Sequence, residues 1–554
     1  MKLDALARLQ RDARRVAEIL GVLARYGLAD WLQGVPSAWL QGHLRTSEGQ
    51  PVADLKPERR LRMALSELGP TFIKLGQILS TRADLIGPEL ADELAELQSR
   101  TAADDFDVVR RTVETELGHT LEELFLQFDR RPLASASIAQ VHAARLPGGE
   151  EVVVKDQHDG IRSRIEADLE ILAALAEVAE RHSERLQPFQ PALLVRHFRR
   201  QLIRELDFEH ERASIEEFAG NFEGDATARF PKTWRELTTR RVLVMERLRG
   251  IPGTDKEALR ASGADLGQFA RDGAGVFLGM IFRDSFYHAD PHPGNLMLLE
   301  GGVVGIIDCG MTGRLDEVTR DDVERLLFAA ISHDVAELTE AVLRLGAAPN
   351  GIDRDRLRAE LEEFVGEFVG RSLQDLDLSA ALNALGGVIR RFRVTLPPAV
   401  ALLLRTLVVL EGTSRQLSPD FSLAELVRPF YLRSLRRRWS PTRVARRMAR
   451  SYRDWERLLG TLPRDLSDVL DRVRAGTFNV HLDHRHLDPV VNRLVLGVVT
   501  AAMLVSSSLM WAMKAPPVWH DIPVVGALGY LGGLYLGWRL FRAVRRSGNI
   551  DSKD

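Results

Sequence analysis

Asp290, Asn295 and Asp308 fall within one stretch, "FYHADPHPGNLMLLEGGVVGIIDCGMTG" (286–313), and their types and spacing suit phosphate chemistry. Asp290 and Asn295 flank the turn-forming "PHPG". Asp308 follows a strand, a turn at Glu300-Gly301-Gly302 and a second strand. A hairpin of that kind brings Asn295 and Asp308 to the same end, so three oxygen-bearing side chains converge. Hard oxygen donors suit Mg²⁺, which commonly takes one or two carboxylates together with substrate phosphates. Phosphoryl transfer from ATP is the chemistry this spacing predicts.

The order of parts matches the protein-kinase arrangement, with a loop Asp that accepts the nucleophile's proton, an Asn five residues on, and an Asp before a Gly. Asp290 takes the first role, and Asn295 and Asp308 hold metal. "DCG" stands where Asp-Phe-Gly is usual, which keeps the metal ligand and removes the Phe-based switch. Upstream, Lys155 ends "EVVVK" and is the candidate for the nucleotide phosphates. Its acidic partner is expected in "RELDFEHER", from Glu205, Asp207 and Glu211, and spacing does not choose between Glu205 and Glu211. "RVLVMERL" predicts a strand leading to a hinge, with Met245 near the adenine and backbone groups from Glu246 to Leu248 bonding its edge. Where a Gly-rich loop is expected the chain has Ala134, Ser135, Ala136 and Ser137. Side chains there limit how closely backbone amides approach phosphate, so nucleotide binding is altered rather than abolished.

These parts need elements to carry them. A chain of 554 residues exceeds what one core supports. A 45 % hydrophobic, 28 % charged composition is that of a folded protein, and a net charge of −3 gives no overall pull toward nucleic acid. The single cysteine, Cys309, excludes an internal disulfide framework. Residues 1–58 read as a helical segment with a connector, and residues 59–125 as a helical extension, with two or three helices from Arg59 to Arg100 and Pro70 at a first helical turn. Residues 126–250 change period around Pro147-Gly148-Gly149 to a β-hairpin, followed by helices and a strand. Residues 251–430 read as helical apart from the hairpin at Glu300, and 431–490 as a basic helical linker. The N-terminus lacks the apolar run of a secretory signal, which keeps the bulk of the chain in the cytoplasm.

Residues 491–542 predict a transmembrane hairpin. Leu494 to Met513 is free of charge over about 20 residues, enough to cross roughly 30 Å of hydrocarbon. Ile522 to Trp538 is a second, shorter run. Arg493 before the pair and Arg539, Arg542, Arg545 and Arg546 after it place both ends in the cytoplasm. Arginines between Phe430 and Arg457 suit anionic lipid headgroups.

Residues 60 to 425 resemble the UbiB (aarF-domain) atypical kinases. The resemblance rests on "FIKLGQILSTRADL", "ASASIAQVH", "ELDFEHE", "HADPHPGN", "IDCG" and "LPPAVALLLRTLVVLEGTSRQLSPDF". It implies an α+β, protein-kinase-like two-lobed fold with an N-terminal helical extension over the peptide-substrate cleft and a C-terminal transmembrane helical hairpin. Lys74 and Gln77 of the extension then lie against the active site, with Lys74 pairing with Glu205, Asp207 or Glu211. The family implies ATP and Mg²⁺ as cofactors, ATPase activity, and support of lipid-quinone synthesis at the bacterial inner membrane. Its partners are then membrane lipids and quinone-biosynthesis enzymes or lipid quinone precursors, not nucleic acid, with a homodimer left open. Two other readings compete. One is a nucleotide-binding scaffold for quinone-synthesising enzymes. The other is a small-molecule kinase of the aminoglycoside or choline type, which lacks the "FIKLGQ" element.

Overall fold

The computed structural model describes residues 13–28, 55–97, 101–182, 191–349, 351–368, 378–427, 429–430, 487–519 and 522–546. The arginine-rich stretch from 431 onward and most of the connector after α1 lie outside them. The chain divides into two units, residues 1–443 and 444–554.

The first unit opens with helices α1 (Ala13–Arg25), α2 (Pro57–Leu68), α3 (Pro70–Leu79), α4 (Ala83–Ile86) and α5 (Pro88–Ala95). Four helices thus occupy the stretch read as two or three, because Gly69 and Gly87, both at positive φ, break it before Pro70 and Pro88. Each proline sits at the first helical position, where its missing N–H costs nothing. α3 carries Lys74 and Gln77. It packs closely through Gly76, whose added Cβ would lie 3.1 Å from Leu65 Cδ1 and overlap Leu97. This extension buries its own apolar cluster around Ile19, Leu68, Phe72 and Leu94.

After α6 (Phe106–Leu117) comes a five-stranded sheet. β1 (Gln127–Phe128) and β2 (Ala134–Ser135) both pair with β3 (Ala139–Arg145). β3 pairs with β4 (Glu151–Gln157), and β4 with the later β6 (Val242–Glu246). The hairpin closes over Pro147-Gly148-Gly149 as its alternation requires, with Val141 opposite Lys155. One face, with Val152, Val154, Val242 and Val244 fully buried, packs on α6. Between β4 and β6 run α7 (Ile161–His182), α8 (Pro191–Glu205) and α9 (Phe208–Asn221). Asp207 caps α9, accepting from Glu209 N–H at 3.1 Å.

The second lobe is less helical than its sequence pattern suggests. β5 (Ala228–Arg229) runs parallel to β10 (Val304–Ile306), which pairs with β9 (Leu296–Leu299), which pairs with β7 (Gly250–Pro252). β8 (Phe286–His288) pairs with β11 (Thr312–Arg314). Strands of two or three residues have too little periodicity to read locally; their partners decide them. Gly253 allows the turn after β7 to lie on the loop between β8 and β9, since an added Cβ would sit 2.5 Å from Pro293 O. Helices α10 (Lys256–Ala261), α11 (Leu266–Gly279), α12 (Glu317–Ile331), α13 (Val335–Leu345), α14 (Arg354–Phe368), α15 (Leu378–Arg391) and α16 (Pro398–Leu417) surround these strands and share the largest apolar core.

The second unit is a helical hairpin, α17 (Leu487–Ala512) and α18 (Val524–Arg546), joined through a short β12–β13 ladder (Val518–Trp519 with Ile522–Pro523). α17 faces Gly526, Gly533 and Gly537 of α18 with Ser507, Leu504 and Thr500. Val495–Ala512 has a mean hydropathy of 1.8 and is long enough to cross a membrane. Among the described residues it is the one helix that meets this measure; α18, ending in Arg539, Arg542, Arg545 and Arg546, does not.

Candidate active site

Lys155 leaves β4 toward α9, and its Nζ donates to both Glu211 carboxylate oxygens at 2.9 Å and to Asp308 Oδ2 at 3.3 Å. It also lies 5.2 Å from the centre of the Phe208 ring. Glu211 is therefore its partner. Glu205, at the end of α8, pairs instead with Lys74 of α3. The remaining candidate, Asp207, stays outside the cluster as a helix cap, with Arg240 at 3.7 Å. The break between α8 and α9 turns Glu205 and Glu211 toward different lysines.

Burial opposes charging Lys155, yet Asp308 and Glu211 more than offset it and raise its pKa. Burial pushes Glu211 up to about 7; Lys155 pulls it down and Asp308 adds to the rise. Burial likewise resists ionisation of Asp308. Lys155, the Gly310 N–H, His288 and Lys74 outweigh it and hold the carboxyl well below the usual carboxylate range. Asp308 is thus an anion under all ordinary conditions, with Gly310 N–H on its Oδ1 at 2.9 Å. Cys309 is fully buried, and burial raises its thiol pKa, so it is an inert filler at the usual Phe position.

The loop carrying Asp290 is held from several sides. Asn295 Nδ2 donates to Asp290 O and Oδ2, both at 3.0 Å, which directs its amide oxygen away from that carboxylate. Asn295 O accepts from Ile307 N at 3.1 Å, closing the β9–β10 end as the hairpin reading requires. His288 is fully buried. Its Nδ1 accepts from Asp290 N–H at 3.0 Å, so its Nε2–H donates to Asp308 O and ties the loop to the metal motif. Thr406 and Thr413, a heptad apart on α16, donate to Ala289 O at 3.2 Å and Pro291 O at 3.1 Å. Arg405, beside them, donates to Ser80 Oγ of the extension and feels the charge of Asp290. The sequence reading missed His288, Arg405, Thr406 and Thr413 in these roles; the seven-residue spacing of the two threonines was the available signal.

Gln77 Nε2 donates to Leu97 O at 3.0 Å, so it fastens the extension internally. Met245 is buried in the core. Glu246 N–H is spent on Lys232 O at 2.7 Å, Arg247 N–H on Glu151 O at 3.0 Å, and the Glu246 carboxylate on Arg229. Of the expected hinge donors this leaves Leu248. Ala134 and Ser135 form β2 rather than open loop. Ala136 N–H bonds Ala139 O at 2.8 Å, and Ser135 Oγ and Ser137 Oγ are buried without a hydrogen-bond partner.

Behind this turn Asp156 is 1 % exposed, and burial pushes it up to about 7, against the pull of Gln140 Nε2 at 3.3 Å. A carboxyl whose folded pKa is raised contributes stability below its unfolded pKa and loses it as pH rises through the folded value. The wild-type melting temperature is therefore expected to fall from pH 4 to pH 8, with Glu211 contributing in the same sense. Asp156→Asn should remove a large part of this slope, worth on the order of a few kcal/mol at pH 8. Equal slopes in a melting series would contradict the placement of Asp156.

Among the described residues no group of three or more His, Cys, Asp or Glu could hold a metal alone. Asp308 and the Asn295 amide carry oxygen donors of the kind that would suit Mg²⁺ with nucleotide phosphates completing the shell.

The chain matches the ABC1 atypical kinase-like domain over residues 96–342, the UbiB helical domain over 361–422 and the ABC1/UbiB kinase-like C-terminal domain over 481–546. It is 34 % identical over 537 residues to the "Probable protein kinase UbiB" of Pseudomonas entomophila, covering 94 % of this chain and 98 % of that one. With the protein of the same name from Pseudomonas paraeruginosa it is 36 % identical over 443 residues, 78 % of this chain and 83 % of the other. Among solved structures it is similar to the Rv3197–erythromycin complex from Mycobacterium tuberculosis, at 23 % identity, 65 % and 92 % coverage and a TM-score of 0.44. The kinase-like, helical and C-terminal domains follow one another along the chain, the first spanning Lys155, Glu211, Asp290, Asn295 and Asp308, and the chain belongs to the UbiB family of atypical kinase-like proteins.

Proposed function

We propose that this protein is a membrane-anchored atypical kinase or ATPase that uses Mg-ATP to support lipid-quinone synthesis, with ubiquinone the quinone its relatives' name implies. The observation that carries the reading is the intact Lys155–Glu211 pair on the same Nζ that reaches Asp308. In kinases the strand-lysine ion pair and the metal-holding Asp must both be in place for turnover. In this reading Lys155 binds nucleotide phosphate, and Asn295 and Asp308 hold Mg²⁺, which on binding neutralises charge on the phosphates. Asp290, oriented by Asn295 and its loop tethers, accepts a proton from the nucleophile at a carboxylate oxygen. In this reading the extension, latched by Lys74 to Glu205, covers the side on which a peptide would enter, as the family resemblance implies, so ATP hydrolysis or a small acceptor is expected rather than protein phosphorylation.

Both helices of the carboxy-terminal hairpin expose large apolar side chains, Val498, Val505 and Leu509 on one and Leu528, Leu531 and Tyr535 on the other. This supports a two-span anchor in the bacterial inner membrane with the kinase-like domain in the cytoplasm, where quinone-synthesising enzymes or lipid quinone precursors are its partners.

The test is ATP hydrolysis by the purified full-length protein, with and without anionic liposomes and a phenolic quinone-precursor analogue. Lipid extraction from a deletion strain accompanies it. Mg²⁺-dependent hydrolysis together with loss of quinone in the strain is expected. Full quinone content in the strain would overturn the pathway assignment, and absence of hydrolysis under every condition would favour the scaffold reading.

A further inference from the structure

The turn between β2 and β3 lacks the glycines of an ordinary phosphate loop, so something other than backbone freedom must aim its amides. Ala136 has both backbone groups spent. Its N–H donates to Ala139 O at 2.8 Å, and its carbonyl accepts from His158 Nε2 at 2.9 Å. A carbonyl only accepts, so Nε2 carries the proton. His158 follows β4, three residues past Lys155, and is 6 % exposed. Its own backbone N–H donates to Ile138 O at 3.0 Å, so the residue grips the turn on either side of Ser137.

The other edge of the ring is placed as well. Nδ1 lies 3.2 Å from Asp104 Oδ2. The same carboxylate oxygen accepts from Asp159 N–H at 3.0 Å, and Asp104 N–H donates to Gln140 Oε1 at 3.0 Å. Gln140 is fully buried and donates in turn to Asp156 Oδ2 at 3.3 Å. A chain of hydrogen bonds from β3 and β4 therefore fixes the carboxylate that faces the imidazole.

A trans peptide is planar, and its C=O and N–H point in opposite directions. The Ala136–Ser137 peptide is trans, and its C=O is held on His158. Ser137 N–H therefore points away from that buried ring, and among the described residues it makes no hydrogen bond. Rotation of this one peptide would withdraw the N–H and present a carbonyl oxygen in its place, which a phosphate repels. We infer that His158, oriented by Asp104, is a positioning residue for nucleotide: it holds the Ala136–Ser137 peptide so that Ser137 N–H stays available to a phosphate oxygen of ATP. This role rests on the Mg-ATP reading of the site. It adds a side chain that sets by hydrogen bonding what a glycine loop reaches by flexibility. A histidine that only filled space would need neither a donor on Ala136 nor a carboxylate beside its other nitrogen.

Two variants of the full-length protein that differ by one methylene test it. In His158→Gln the amide nitrogen takes the place of Nε2 and still reaches Ala136 O. In His158→Asn it takes the place of Nδ1, beside Asp104, and falls short of Ala136. Titration calorimetry of each protein with Mg-ATP and, separately, with adenosine reads the phosphate contact, and adenosine affinity serves as the check on folding. His158→Asn should bind ATP on the order of tenfold more weakly than wild type, the scale of one hydrogen bond to a charged group, with adenosine affinity kept. His158→Gln should stay within about threefold of wild type for both ligands. Equal ATP affinity in wild type and His158→Asn would overturn the inference. So would parallel losses of ATP and adenosine, which mark general damage, or a His158→Gln as weak as His158→Asn. A wild type that binds ATP no more tightly than adenosine would instead remove the phosphate reading of the turn, and the inference with it.

Discussion

Asp308→Asn is expected to reduce Mg²⁺-dependent nucleotide turnover by about 10²–10³-fold, the scale set by removing one preorganised charge-stabilising group from an active site. The native carboxylate is held ionised by Lys155, the Gly310 N–H and His288. Asn at this position is neutral at every pH, and a cation would be left with the Asn295 amide oxygen, water and phosphate. The fold should persist, because Lys155 keeps both its contacts to Glu211. Steady-state hydrolysis across a Mg²⁺ titration checks this. Unchanged turnover in a variant with a wild-type melting temperature would remove Asp308 from the mechanism.

The second large effect separates packing from chemistry at Lys155. Its side chain is 15 % exposed and that of Glu211 is 5 % exposed, so Lys155→Met leaves a buried carboxylate beside Asp308 with no cation between them. Breaking a buried pair in this way costs about 3–5 kcal/mol, whereas replacing both partners by apolar groups of similar volume is often near neutral. Lys155→Met should therefore melt well below wild type, and Lys155→Met combined with Glu211→Met should recover much of that loss. Neither should bind or hydrolyse ATP as wild type does, because the phosphate contact is absent from both. A double variant that regains turnover along with stability would reduce Lys155 to a structural role.

The parts that were legible in the sequence are those whose chemistry is local. Asp290, Asn295 and Asp308 sit around one hairpin, so turn residues and alternation place them, and the β3–β4 hairpin fixes the strand that bears Lys155. The division of Glu205 and Glu211 between Lys74 and Lys155 was not legible, because it depends on where α8 stops and α9 restarts. Asp207 belongs to that same break: a carboxylate in an acidic motif proves to be a cap. The hinge was half legible. β6 lies where its pattern puts it, but the N–H groups of Glu246 and Arg247 bond to Lys232 and Glu151, partners that no local pattern names. The tethers from Thr406 and Thr413 join residues more than a hundred positions apart, as does the Arg405 contact to Ser80. The second hydrophobic run reads more weakly than the first because α18 is glycine-rich and ends in arginines, so the two-span proposal leans on the large apolar side chains that both helices expose.

Central to the proposed function is a Mg-ATP site made by Lys155, Asn295 and Asp308. Isothermal titration of ATP into the full-length protein, once with Mg²⁺ and once with EDTA, tests it most directly. Saturable one-to-one binding is expected in Mg²⁺, weaker by at least about tenfold in EDTA and lost in Asp308→Asn. ATP binding of equal strength in Mg²⁺, in EDTA and in Asp308→Asn, or no binding at all, would contradict it.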